Sequence, residues 1–191
     1  MRNSNGFTVI EITVTVLIIG ILSAVTVMKF SDNLVHQELD QTANTLYLEL
    51  RGLRSLAFKH DSRVVAKFSG ESTSHCEIYV DKNDNEVKDD GEVVQRITLP
   101  QTVLFGLSEQ APDAMPYPSA ENENWSPPEN GFALDWEDSL VVAPDSRGAY
   151  TLGGVCLYSP KIASVTYFIG IAGSMESMEI YKWEGTSWRK R

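Results

Sequence analysis

The clearest chemical potential in the sequence lies in the oxygen-bearing side chains of one short segment. Residues 81–92 read DKNDNEVKDDGE. Carboxylate and amide oxygens stand at positions one, three, five, nine and twelve, a spacing typical of calcium-binding loops. The five candidate ligands are Asp81, Asn83, Asn85, Asp89 and Glu92. Because Glu86 stands where the sharp turn of an EF-hand needs glycine, two interpretations are open: a calcium site, and a solvent-exposed acidic hairpin.

Patterns that indicate catalysis are missing from the sequence. It contains neither HExxH nor GxSxG, and Gly153-Gly154 is not followed by the lysine of a phosphate-binding loop. His75 precedes Cys76, but neighbouring residues of a strand point to opposite faces. We therefore expect a protein that is not an enzyme and that needs no cofactor, calcium excepted.

The two cysteines, Cys76 and Cys156, lack the spacing of a zinc site. If the domain is exported, an oxidising compartment allows one disulfide between them. Two buried free thiols are the other interpretation.

The charge balance argues against a nucleic-acid-binding protein. The formal net charge is -10, and an acidic surface repels phosphate. The C-terminal residues Trp188, Arg189, Lys190 and Arg191 form the one basic cluster with an adjacent aromatic ring. This cluster is either a solvated tail or a weak nucleic-acid contact.

Residues 7–28, FTVIEITVTVLIIGILSAVTVM, form an apolar run in which Glu11 is the one ionisable side chain. As a helix this run is about 33 Å long, close to the thickness of a bilayer core. The short basic flank before it predicts that the N-terminus lies inside and the rest outside. A secretory signal peptide is the alternative, although its apolar region would be shorter.

Glu11 is the unusual residue of this run. An isolated carboxylate in an apolar helix costs several kcal/mol unless it is neutralised or paired. We therefore expect Glu11 to have a partner that the chain alone does not show.

Residues 6–11, GFTVIE, resemble the processing site of type IV pilins and type II secretion pseudopilins. The resemblance implies that a prepilin peptidase cuts between Gly6 and Phe7, that Phe7 is then N-methylated, and that Glu11 pairs with the free amine of a neighbouring subunit. It also implies a leader at 1–6 and a transmembrane and assembly helix at 7–28.

The helix is predicted to continue over residues 29–61. Its apolar side chains recur at alternating steps of four and three, which is typical of an amphipathic helix packed on a core. These apolar residues are Leu39, Ala43, Leu46, Leu50, Leu53 and Ala57. The polar residues of this half of the helix can face water: Glu38, Asp40, Glu49, Arg51 and Lys59.

The remainder, 62–191, is predicted to be a β-rich globular domain. Its candidate strands are rich in β-branched and aromatic residues: 63–68, 76–80, 93–98, 103–106, 140–143, 155–158, 165–171 and 178–183. A long helix followed by many strands indicates an α+β fold, with the helix packed on an antiparallel sheet. Residues 108–138 contain five prolines and are predicted to be a long loop.

The domain also resembles the minor subunits called GspH in type II secretion and FimT in type IV pili. The likeness is carried by LRSLAFK at 53–59, YVDKNDN at 79–85 with DGE at 90–92, Arg147-Gly148, and Gly153-Gly154. It implies a minor pseudopilin or minor pilin in the inner membrane, with a single span, a periplasmic domain and a place in a filament. The implied partners are other pilins, prepilin peptidase, the assembly platform and membrane lipid. The alternative that it implies is a DNA-binding minor pilin for DNA uptake, with contacts at Arg189, Lys190 and Arg191.

Overall fold

The structure is a computed structural model that describes residues 7–70, 74–85, 87–112, 132–134, 139–144, 152–172 and 178–191. Within these ranges the side chains of 25–32, 93–94, 132–134, 152 and 172 are not described. The chain divides into two compact units, Met1–Gln37 and Glu38–Arg191.

One helix and ten strands make up the described part of the chain. The helix α1 spans Val9–His60. The strands are β1 (Arg63–Ser69), β2 (His75–Asp81), β3 (Val93–Thr98), β4 (Leu104–Phe105), β5 (Phe132–Leu134), β6 (Ser139–Val142), β7 (Leu152–Ser159), β8 (Ile162–Ala172), β9 (Glu179–Glu184) and β10 (Trp188–Lys190).

In the first unit, the helix presents an apolar surface. Every described side chain from Phe7 to Ala24 is exposed. Val9 is 79 % exposed and Leu17 is 64 % exposed. No helix among the described residues meets the length and hydropathy expected of a membrane-crossing helix.

In the second unit, the amphipathic half of α1 supplies one wall of the core. The six residues of the predicted apolar stripe are all buried, which confirms that prediction. The helix ends in a tight turn at Asp61, whose φ of 50° lies in the left-handed region. The Ser62 N–H donates to the Ala57 carbonyl across this turn at 3.4 Å, as in a Schellman motif.

The strands form two antiparallel sheets rather than the single sheet that the sequence suggested. The first has the order β3-β2-β1-β6 and the second β10-β9-β8-β7-β4, with β5 also pairing with β7. The pairing of β1 with β6 brings Val64 opposite Val142. Such distant partners cannot be read from local alternation, because a strand pattern identifies a strand and not its neighbour.

All eight predicted strands are present, β3 with the predicted ends and the other seven with shifted ends, and two further strands were missed. The strand β5 lies inside 108–138, which was predicted to be a loop, and it pairs Phe132 with Val155. The strand β10 occupies the C-terminus, where one interpretation placed a solvated tail, and it pairs Trp188 with Trp183. Both have only three residues, and a run this short carries too little alternation to predict a strand. Residues 113–131 and 135–138 of the predicted loop lie outside the described residues.

Polar contacts join the second half of α1 to residues just before β9 and β4. The Tyr47 hydroxyl donates to the Met178 carbonyl at 3.4 Å, and the Thr102 hydroxyl donates to the Glu38 carboxylate. The helix therefore packs against the antiparallel sheets of the same unit, in an α+β arrangement.

Candidate assembly site at the start of the helix

The candidate functional site is the first turn of α1, where Thr8 and Glu11 bind each other. The Thr8 backbone N–H and its hydroxyl both donate to Oε2 of Glu11, each at 2.8 Å. The Glu11 N–H donates back to the Thr8 hydroxyl oxygen at 3.3 Å. Thr8 directly precedes the first helical residue, Val9, so it is the N-cap and Glu11 is the third helical residue.

This geometry is a capping box, in which an N-cap hydroxyl and a glutamate three residues later satisfy each other's backbone N–H groups. The Thr8 carbonyl accepts the first helical hydrogen bond, from Ile12 N–H at 3.3 Å. The negative carboxylate also lies at the positive end of the helix dipole. The pair therefore fixes the residue at which the helix begins.

Within the chain, Glu11 also has a hydrogen-bond partner, Thr8, while the expected partner from another subunit stays a prediction. Thr8 was overlooked as a partner, although the T-x-x-E pattern before an apolar run is the sequence signal of a capping box. The structure thus adds Thr8 to the candidate site.

Glu11 keeps room for a second partner. Both bonds from Thr8 end on Oε2, and among the described residues no hydrogen bond to Oε1 is found. A carboxylate has about four acceptor positions. Pairing with Thr8 inside the chain is therefore compatible with pairing to an amine from elsewhere.

Of the other residues of the predicted processing site, Phe7 is 84 % exposed and precedes the helix. Gly6 and the rest of the predicted leader lie outside the described residues.

The acidic segment at 81–92 lies between β2 and β3, and its predicted ligands bind one another. The side-chain amides of Asn83 and Asn85 donate to Oδ2 of Asp89 at 2.7 and 3.0 Å. Oδ1 of Asp81 accepts from the Asn85 N–H at 3.2 Å. Glu92 accepts from the N–H groups of Lys82 and Asp89 at 3.2 and 3.1 Å.

The side chains of the predicted ligands therefore form hydrogen bonds with groups of the same segment. Among the described residues, no group of three or more histidine, cysteine, aspartate or glutamate side chains is placed to hold a metal ion. Each predicted ligand accepts at least one hydrogen bond from an N–H group of the same loop, as in Asx turns. Calcium binding by Asp81, Asn83, Asn85, Asp89 and Glu92 stays a prediction.

The two cysteines are free and buried. Cys76 lies on β2 in the first sheet and Cys156 on β7 in the second. Burial raises the pKa of the Cys76 thiol to about 12, with the Glu77 carboxylate adding to the shift, and burial also raises the pKa of Cys156. The structure thus agrees with the interpretation in which Cys76 and Cys156 are two buried free thiols.

The three C-terminal cations are each matched by a carboxylate. Arg189 lies 3.4 Å from Glu184, and Lys190 pairs with Glu179. Arg191 lies 3.0 Å from Asp40 on α1. A DNA contact at these residues would compete with these pairs.

Asp40 is partly exposed to water, as its place on α1 allows, but its carboxylate also contacts the strands. It is half-buried, accepts a hydrogen bond from the Tyr167 hydroxyl, and lies 3.6 Å from Lys182. Burial and the hydrogen bond to Asp40 raise the pKa of Tyr167. Helical periodicity identified the buried stripe, but it could not show that the sheet extends to the residue beside that stripe.

Comparison with known proteins gives one finding. Residues 1–27 match the family model of the prokaryotic N-terminal methylation motif. No curated protein and no solved structure matches the chain. The motif supports a type IV pilin-like or pseudopilin subunit in general, processed by prepilin peptidase and assembled as pilins are. Over its first 27 residues, the chain is therefore similar to proteins of the type IV pilin class.

Proposed function

We propose that this protein is a minor pseudopilin of a type II secretion system or a minor pilin of a type IV pilus. It acts as a structural subunit that primes or joins a periplasm-crossing filament. The observation that carries the proposal is the N-terminal methylation motif at residues 1–27. Within the matched residues we assign cleavage to the bond after Gly6, methylation to Phe7 and subunit pairing to Glu11.

The exposed apolar surface of α1 supports this role. From Phe7 to Ala24 the described side chains are exposed on all sides of the helix, and such a surface needs lipid or other helices around it. In the proposed sequence of events, the helix lies in the inner membrane as a single span, with the domain in the periplasm. The assembly platform then extracts it into a bundle of pilin helices.

The capping box gives Glu11 a fixed position for assembly. Thr8 holds Oε2, and Oε1 is directed to the methylated amine of a neighbouring subunit's N-terminus. This charge-assisted bond sets the register between subunits. The protein carries out no chemical step of its own.

Features of the domain support the GspH/FimT type more specifically. The LRSLAFK segment ends the helix near His60, and the acidic hairpin joins β2 to β3. Gly153-Gly154 lies on β7, where Gly154 faces Gly170. Arg147-Gly148 lies outside the described residues.

Processing by prepilin peptidase is the direct test. Co-expression of the full chain with the peptidase should yield a protein that starts at Phe7 and carries one additional methyl group, as read by intact mass and N-terminal sequencing. Gly6→Glu should leave the leader in place, whereas Ser4→Ala, a change in the leader away from the cut, should be processed normally. A wild-type chain that keeps its leader in this assay would refute the proposal.

Deletion of the gene separates the two filament systems. Loss of extracellular enzyme release with intact pili would assign the protein to a type II secretion pseudopilus. Loss of pili or twitching with normal release would assign it to a type IV pilus. Complementation with a Glu11→Ala variant should fail in either case, because the subunit cannot pair with its neighbour.

A further inference from the structure

A groove in the second unit lies between α1 and the end of β3. It has a volume of about 340 Å³ and is lined by Glu38, Gln41, Thr42, Thr45, Ile97, Thr98 and Pro100. The four helical residues are spaced at three and four, so they share one face of α1. Its wall combines polar and apolar atoms, and Glu38 is the one charged residue among those that line it.

The groove runs along the edge of the first sheet. Ile97 and Thr98 are consecutive residues of β3, and consecutive side chains of a strand point to opposite faces. Because both line the same groove, the groove opens at the edge of the strand and not over one face. Among the described strands, β3 pairs only with β2, and an edge strand of this kind is where a further strand can pair.

Glu38 lies half-buried in the wall of this groove. It accepts a hydrogen bond from the Thr102 hydroxyl, and no cation lies within ion-pair distance of it among the described residues. Asp40, two residues further along the helix, has Lys182 and Arg191 beside it. Unlike Asp40, Glu38 therefore has no cationic partner in the described part of this chain.

From these observations we propose that the groove binds an extended segment of another protein, added as a strand along β3, with a lysine or arginine side chain reaching Glu38. Main-chain hydrogen bonds to a sheet edge supply affinity, and a side-chain pocket beside the edge supplies specificity. The six residues of β3 span about 20 Å, enough for a segment of similar length. The proposal is independent of the filament role, because it concerns a binding event of the domain.

The partner is a different protein and not a second copy. This chain has a net charge of -10, so two copies repel each other. The basic C-terminal residues 189–191 of a second copy are also unsuited to the groove, because their three cations are already paired with Glu184, Glu179 and Asp40. A segment from a more basic partner satisfies Glu38 without breaking any of these pairs.

Fluorescence anisotropy on the full chain in detergent micelles tests the proposal. The probe is a labelled hexapeptide, Val-Thr-Val-Lys-Val-Thr, capped at both ends. We expect saturable binding that weakens at least about tenfold in the Glu38→Gln variant, because a charge-assisted hydrogen bond is lost. Glu49→Gln, on the same helix outside the groove, should bind as the wild type does.

Two changes in the peptide keep the test independent of the folding of the variant. Replacing its lysine by norleucine should weaken binding to the wild type as much as Glu38→Gln does. Methylation of alternate backbone amides should abolish binding, since a strand addition needs those N–H groups. Absent binding, or equal binding by Glu38→Gln or by the methylated peptide, would overturn the proposal. Self-association of the wild type that Glu38→Gln removes would also overturn it, because the occupant would then be a second copy.

Discussion

At the residue scale, the first turn of α1 shows how one side chain can serve both the fold and the proposed assembly. The Thr8 N–H donates to Oε2 of Glu11 and the Glu11 N–H donates to the Thr8 hydroxyl, which satisfies two backbone donors at the helix terminus. The same contacts hold the carboxylate in one rotamer. An acid that is held in place loses less side-chain entropy when it binds a neighbouring subunit. Thr8 is therefore a positioning residue for Glu11.

Removing the Thr8 hydroxyl should loosen this turn. In Thr8→Ala, the Glu11 N–H loses its acceptor and Glu11 loses one of its two donors. We expect the Glu11 amide proton to exchange about fivefold faster, the factor typical of losing an N-cap side chain. Amide exchange measured by NMR on the full chain in detergent micelles checks this.

Two substitutions provide the controls for Thr8. Thr8→Ser keeps the hydroxyl and should preserve the protection of the Glu11 amide. Thr13→Ala removes a hydroxyl that donates to the Ile10 carbonyl at 2.9 Å and caps no N–H group, so it should leave Glu11 unchanged. Equal exchange in Thr8→Ala and the wild type would show that the capping box does not hold the turn in solution.

The buried thiols of Cys76 and Cys156 should be unreactive in the folded protein. Burial raises the pKa of Cys76 from 9.0 to about 12, so its reactive thiolate is about a thousandfold less populated below pH 9. We expect no labelling by iodoacetamide at pH 8 in native buffer. Two thiols should react after unfolding in guanidinium without reductant. Labelling only after addition of reductant would show a disulfide instead.

At the element scale, the sequence predicted the features that depend on neighbouring residues. The stripe from Leu39 to Ala57 needs only the helical period, and the buried strands need only local composition. The pairing of β1 with β6 was not predictable, because it depends on contacts between residues far apart in the chain. The contacts of Asp40 with Lys182 and Arg191 depend on how the second sheet packs on α1.

The pairing of β7 with β8 contains a position where only glycine fits. A Cβ added at Gly154 would lie 2.2 Å from Cε2 of Phe168 and 2.6 Å from the Ile169 carbonyl oxygen. Because backbone cannot move as easily as a side chain, Gly154→Ala should lower the free energy of unfolding by about 1–3 kcal/mol. Urea unfolding followed by tryptophan fluorescence measures this change.

Gly52→Ala is the matched control for Gly154→Ala. Gly52 lies on the exposed face of α1, where an added Cβ meets nothing within 4 Å. Alanine there should raise the free energy of unfolding by up to about 1 kcal/mol, because it restricts the unfolded chain and favours the helix. If both substitutions change the free energy of unfolding in the same direction, the close packing of β7 on β8 does not explain the effect of Gly154→Ala.

At the scale of the whole molecule, the positive charges of the basic C-terminal residues 189–191 are compensated by carboxylates. Arg189, Lys190 and Arg191 face Glu184, Glu179 and Asp40, and the side chain of Tyr167 lies under the Arg191 guanidinium at 5.5 Å. The contact between Arg191 and Asp40 ties the last residue of the chain to α1. The C-terminus is thereby part of the packing of the second unit.

This arrangement predicts that the protein does not bind DNA. Phosphate attraction requires cations that are free to replace counterions, whereas each of these three is already paired and the chain as a whole carries a net charge of -10. In a gel-retardation assay at physiological salt, the full chain in detergent should leave double- and single-stranded DNA unshifted. The triple variant Arg189→Ala, Lys190→Ala, Arg191→Ala should behave identically. Retardation by the wild type that the triple variant loses would contradict the prediction, and it would show that DNA displaces Asp40, Glu179 and Glu184 from their cations.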